Sequence, residues 1–182
     1  MSSSAPGRWA IVAVAVYLTV AGLAITIGPY GSVRRLSGRL GPPEERAGIT
    51  PAAISMFFVR IGDEGRTLYR RVLIFDFVAP VAFVAAGWMI VRWSHSRAPN
   101  LARSGSLVVR LLLVLAAAEI VENLLLLSAL RGYPGRPPLG QLIGTVVRLK
   151  LWIYIACAIS LVGLVVVAAT SPKPRADSSE PT

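Results

Sequence analysis

Residues 151–172, LWIYIACAISLVGLVVVAATSP, contain no charged side chain. About 20 apolar residues of helix are needed to cross the hydrocarbon of a bilayer. A second uncharged run, from Trp9 to Val33, lies near the other end. Between and around these runs the 182-residue chain is 54% hydrophobic and only 15% charged, whereas soluble domains carry about 25% charged residues. Its mean hydropathy is +0.64. Too few charges remain to coat a globule in water, and the reading is an integral membrane protein.

Two further apolar stretches lie between these runs, each carrying charges inside it. The expected architecture is all-α and polytopic: an antiparallel four-helix transmembrane bundle with spans at about 9–27, 72–91, 107–130 and 143–169. These form one membrane domain over 9–169, after a short tail at 1–8 and before a disordered tail at 170–182 that is rich in Pro, Ser and charge. Four spans put both termini on one side. Gly28, Pro29 and Gly31 should stop the first span. Its apolar core exceeds the 7 to 15 residues of a signal-peptide h-region, so it reads as a retained anchor, not a leader cut near Gly22-Leu23-Ala24.

The long connection from Tyr30 to Arg71 has structure of its own. Thr50-Pro51 is a helix start, a hydroxyl cap followed by proline at the first helical position. Ile54, Phe57, Phe58 and Ile61 then recur at helical spacing, predicting a short amphipathic helix over about 51–61 at the interface or against the bundle mouth. Gly62-Asp63-Glu64-Gly65 reads as a turn, after which Arg66 to Arg71 begin the second membrane helix outside the lipid. The Pro- and Gly-rich connection from Gly132 to Pro138 reads as a tight irregular turn.

The balance of 19 basic against 9 acidic residues, +10 overall, does not point to nucleic acid, because aromatic and basic residues do not interleave as on a base-reading surface. The cations gather between hydrophobic segments, where anionic lipid headgroups attract each by about 1 kcal/mol. All but Lys150 and Lys173 are arginine, a bias of a GC-rich genome. The long connection and the last turn hold the larger arginine set, so the positive-inside rule favours termini outside the cytoplasm, although cation density is nearly equal on the two sides. The single Cys157 forbids an intrachain disulfide and reads as a small apolar filler.

Charges within spans carry the most information, since each costs several kcal/mol in hydrocarbon unless it finds a partner, water or the interface. Asp76 lies about 7 Å past Arg71, Glu119, Glu122 and Asn123 about 12 to 18 Å before Arg131, and Lys150 about 15 Å past Gly140, at the helical rise. All five fall in the same half of the bilayer. Glu119, Glu122 and Asn123 share a helix face by their i, i+3, i+4 spacing, as do Lys150 and Tyr154. Arg148, about 200° round the helix from Lys150, should snorkel to the headgroups beside Trp152. Pro80 deprives the Asp76 carbonyl of its helical donor. The expected ligand- or proton-binding cluster is therefore Asp76, Glu119, Glu122, Asn123, Lys150 and Tyr154. With one ammonium for three carboxyls, it holds charge that it can shed by taking up protons.

No metal or other cofactor is expected. Glu119-x-x-Glu122 places two carboxylates on one face, but carboxylate di-iron bundles use Glu-x-x-His, and the only histidine, His95, falls in the connection on the opposite side. Gly140-x-x-x-Gly144 and Ala24-x-x-x-Gly28 permit close helix approach, within one chain or between copies of a homo-oligomer. Gly-rich phosphate loops, zincin motifs and a Ser-His-Asp order are missing.

Gly62-x-x-Gly65-Arg66 with Tyr69, then Asp76 and Pro80, then Glu119-x-x-Glu122-Asn123, then Lys150, resembles a pattern of small four-span bacterial membrane proteins of unassigned function. The resemblance covers about Ile54 to Tyr154. It implies a multi-pass protein of the bacterial inner (cell) membrane and supplies no reaction. A looser likeness is to sterol-isomerase-type bundles, whose intramembrane histidine has no counterpart here.

Three functions are compatible with the pattern: binding of a small polar or amphipathic ligand or proton-linked transport; an intramembrane enzyme using a glutamate as general acid on a lipid-like substrate, with Lys150 stabilising negative charge; or a structural or accessory subunit in which polar side chains hold helices together.

Overall fold

The computed structural model describes residues 28–135 and 139–171, with scattered positions between 9 and 22. The expected tail at 1–8, all of the expected tail at 170–182 except Ser171 and Thr170, which ends the last helix, most of the first span, Ala24 of its glycine-spaced pair, and residues 136–138 of the last turn lie outside the described residues. Trp9, Ile11, Val12, Val16 and Leu18 of the first span are described and are exposed. The described residues form helices and turns, with no strand among them.

From residue 28 onward the described residues form α1 (Pro29–Ser37), α2 (Pro51–Phe75), α3 (Val78–Arg97), α4 (Ala102–Gly132) and α5 (Gly140–Thr170). Among the described residues three stretches are long and apolar enough to cross a membrane: Pro51–Arg97, which joins α2 to α3, Pro99–Gly132 and Gly140–Thr170. α3, α4 and α5 pack against one another. Their outer faces carry exposed Trp88, Val81, Leu113, Trp152 and Ile159, side chains suited to acyl chains.

Gly28 is extended at the expected stop, and a new helix, α1, begins directly after it. Pro29 occupies the first position of a new helix, because proline's fixed φ suits that position and the amide it lacks would have no partner there. Gly31 lies inside that helix, buried, and Gly38, at φ +59°, ends it.

α2 starts where expected, with the Thr50 hydroxyl accepting from the Ala53 amide at 3.2 Å. Ile54, Phe57, Phe58 and Ile61 are all buried. The expected four-residue turn is a one-residue kink at Gly62 (φ +67°), beyond which the helix continues to Phe75. Arg66 ties the kink together. Its guanidinium donates to the Phe58 carbonyl at 2.8 Å, contacts Asp63 and lies 4.6 Å from the centre of the Tyr133 ring.

The expected second span, 72–91, is divided at Asp76 and Phe77 between the end of α2 and most of α3. The division falls four residues before buried Pro80, which has no amide to offer the Asp76 carbonyl and whose ring crowds it. α4 and α5 each extend a few residues beyond their expected spans.

Two apolar clusters hold the molecule. One joins α1, α2, α4 and α5 through Val33, Phe57, Phe58, Tyr69, Leu126 and Ile143. The other joins α3, α4 and α5 through Phe83, Leu112, Leu115, Cys157 and Leu161. The residues of the expected cluster fall between them along the chain: Asp76 between Leu73 and Phe83, Glu119 to Asn123 between Leu115 and Leu125, and Lys150 between Val147 and Cys157.

The segment between α1 and α2 lies across the N-terminal end of α5. A Cβ on Gly144 would stand 2.3 Å from the Ile49 carbonyl oxygen, and one on Gly140 2.8 Å from Pro51 Cβ. The Gly140-x-x-x-Gly144 stripe thus receives backbone of the long connection and is buried.

Candidate functional site

Lys150 is the centre of the site. Its ammonium lies 3.3 Å from Glu119 Oε2 and in contact with Glu122 Oε2. Glu119 and Glu122 are one turn apart on α4, so a single ammonium from α5 reaches both. Glu122 is 0% exposed, and its second oxygen, Oε1, has no hydrogen-bond partner among the described residues. A buried carboxylate oxygen without a donor is costly in a low-dielectric setting, which makes Glu122 the natural point for a proton or a donor ligand to arrive.

Asn123, 2% exposed, donates through Nδ2 to Asp76 Oδ2 at 3.2 Å. Asp76 is the last residue before the chain turns into α3, so the break made by Pro80 sets that carboxyl beside α4. Tyr154 stands one turn beyond Lys150, its ring stacked on Phe83 with centroids 5.3 Å apart. Arg148 leaves the cluster, its guanidinium lying over Gly48 of the long connection, while Trp152 is 65% exposed on the outer face.

The structure adds residues that the sequence did not single out. Pro42 is extended and leads into a short 3₁₀ turn, Pro43–Glu45, which lowers Glu44 onto the mouth of the bundle. There Glu44 Oε2 accepts from the Tyr69 hydroxyl at 2.6 Å. Tyr69 is 0% exposed and packs edge-on against Phe57. Beside it, Glu45 accepts from the Tyr30 hydroxyl at 2.8 Å and lies 3.7 Å from Arg34. Burial pushes the Glu44 carboxyl up to about 7. The Tyr69 hydroxyl works against that rise and the nearby Glu122 charge adds to it.

No helical periodicity announces Glu44, because it sits in a connection whose course depends on contacts distant in sequence. Pro42-Pro43 and the glycines of α5 are the only signals that could have placed it.

A recess of about 120 Å³ opens between the connection and α5, lined by Glu44, Glu45, Ala47, Val147, Lys150, Leu151 and Tyr154. Pockets for drug-sized ligands run from about 300 Å³ upward, so this one suits a few waters or a small polar solute and not a lipid. Its lining offers carboxyls, one ammonium and one phenol, and no serine, cysteine or histidine to act as nucleophile. Among the described residues no three His, Cys, Asp or Glu side chains gather as a metal site. Two carboxyls, Glu119 and Glu122, thus hold one ammonium, Asp76 joins the same helix through Asn123, and Glu44 shares the recess that Lys150 lines. Comparison of the chain with protein-family models, with curated proteins and with solved structures finds no match.

Proposed function

We propose that the chain is a four-span protein of the bacterial inner membrane, residues 9–27 supplying the first span, whose Asp76, Glu119, Glu122, Asn123, Lys150 and Tyr154 bind protons together with a small polar ligand, as a proton-linked transport protein does. The likeness to small four-span bacterial membrane proteins supports the span count. The functional reading rests chiefly on one observation: Glu122 is fully enclosed with one oxygen on Lys150 and the other unpartnered. A cluster selected only to hold helices together would leave neither an orphan oxygen nor three carboxyls to one ammonium. The small recess favours protons or a small solute over a lipid-like substrate.

The test uses the full-length protein reconstituted in liposomes carrying an internal pH dye. Glu122→Gln should insert and fold as the parent does, while proton uptake after a pH jump falls to the level of empty liposomes. Uptake equal to the parent's would overturn the reading.

A further inference from the structure

A cavity of about 770 Å³ lies away from the polar cluster, between the turn that ends α1 and the outward face of α2. Gly38 (φ +59°) swings the chain into the Gly38–Leu40 turn, which forms one wall with Arg39. The other wall is Met56, Val59 and Arg60 of α2. Met56 and Val59 are 58% and 65% exposed, so the floor is apolar and open. The Arg60 guanidinium leans across it, 3.9 Å from where a Cβ on Gly38 would stand. Among the described residues neither Arg39 nor Arg60 has an acidic partner, whereas Arg34 and Arg66 do.

The level of this groove follows from length. Pro51–Arg97 is 47 residues, about 70 Å at the helical rise, more than twice the hydrocarbon thickness of about 30 Å. α3 alone, at 20 residues, can cross. The first turns of α2, beyond the kink at Gly62 and the break at Asp76 and Phe77, therefore need not lie in the hydrocarbon that α3 crosses, and there two arginines without acids sit beside exposed aliphatic side chains. A free phosphate would use the arginines and leave the floor bare; a neutral lipid would use the floor and leave the arginines bare.

The geometry points to a binding site for one anionic glycerophospholipid in this groove, its phosphate between Arg39 and Arg60 and its acyl chains over Met56 and Val59. The site is independent of the reading given to the Lys150 cluster.

The experiment is native mass spectrometry of the full-length protein in mild detergent, with phosphatidylglycerol or phosphatidylcholine of the same acyl chains added. Phosphatidylglycerol should be retained at least tenfold better. Arg39→Gln with Arg60→Gln should weaken its retention by about fivefold per arginine, about 25-fold for the pair. Arg70→Gln with Arg71→Gln, two exposed arginines outside the groove, should leave it unchanged. Met56→Glu, which sets a carboxylate under the headgroup and keeps both arginines, should also weaken it, and it decides the matter if the double arginine variant loses helical circular dichroism. Equal retention of the two lipids would overturn the proposal, as would an equal loss in the Arg70 and Arg71 control. So would a dimer that the groove substitutions dissociate, since a second copy of the chain would then be the occupant.

Discussion

Tyr69 reaches Glu44 from a face of α2 that is buried against Phe57 and Phe58, and this one hydrogen bond fastens the long connection to the bundle. Because Glu44 is pushed from 4.5 to about 7 by burial, the folded protein holds a proton that the unfolded chain has already released between those pH values. Its contribution to stability is therefore full below about 4.5 and declines as pH rises to about 7. Glu44→Gln should flatten that decline, which melting curves in detergent at pH 5 and pH 8 would reveal. Tyr69→Phe removes the donor that restrains the rise, so the Glu44 titration should move upward, read from the infrared band of its protonated carboxyl. A downward move would mean that the hydroxyl is not the restraining group. At this scale the sequence exposes the residues whose facing follows from helical spacing, Glu119, Glu122, Asn123 and Lys150. It hides Glu44, whose position depends on where a loop lands.

The elements divide in the same way. Thr50 and Pro51 mark the start of α2 because a cap and an N1 proline act locally, and Pro80 marks the break at Asp76 for an equally local reason. The start of α1 at Pro29 is not legible in the same way, because Gly-Pro can both end one helix and open the next, and only the chain that follows selects the second meaning. The glycines of α5 were read as a surface for another helix, and the structure sets the connection backbone there instead. That difference is testable. A methyl at Gly144 would meet the Ile49 carbonyl at 2.3 Å, a backbone atom that cannot turn aside as a side chain would. Gly144→Ala should therefore cost about 1 to 3 kcal/mol and make the 41–50 segment more open to protease. Nothing lies within 4 Å of a Cβ at Gly163 on the same helix, so Gly163→Ala should be neutral or stabilising by up to about 1 kcal/mol. Equal effects at the two positions, read from thermal melts, would mean that the connection does not bear on α5.

At the scale of the whole molecule, two apolar clusters are joined through a charged layer contributed by α2, α4 and α5. Composition alone reveals the membrane class. The layer is legible too, since its members interrupt apolar helices at comparable depths. What composition cannot reveal is how tightly the layer is coupled, because coupling depends on distances between helices. Lys150 contacts Glu122 and lies 3.3 Å from Glu119, so Lys150→Met leaves the buried Glu122 and the half-buried Glu119 without their ammonium. Removing one member of a buried pair costs about 3 to 5 kcal/mol, while removing both charges together often costs little. Lys150→Met should accordingly lower stability by about that amount, and adding Glu122→Gln to it should restore more than half of the loss, because the second change removes the charge left stranded by the first. Unfolding of the four members of the cycle, measured in the same detergent, gives the interaction directly. If the double variant is as unstable as the sum of the two single ones, Lys150 and Glu122 are not coupled, and the layer is a set of separate polar residues instead of one joint between the clusters.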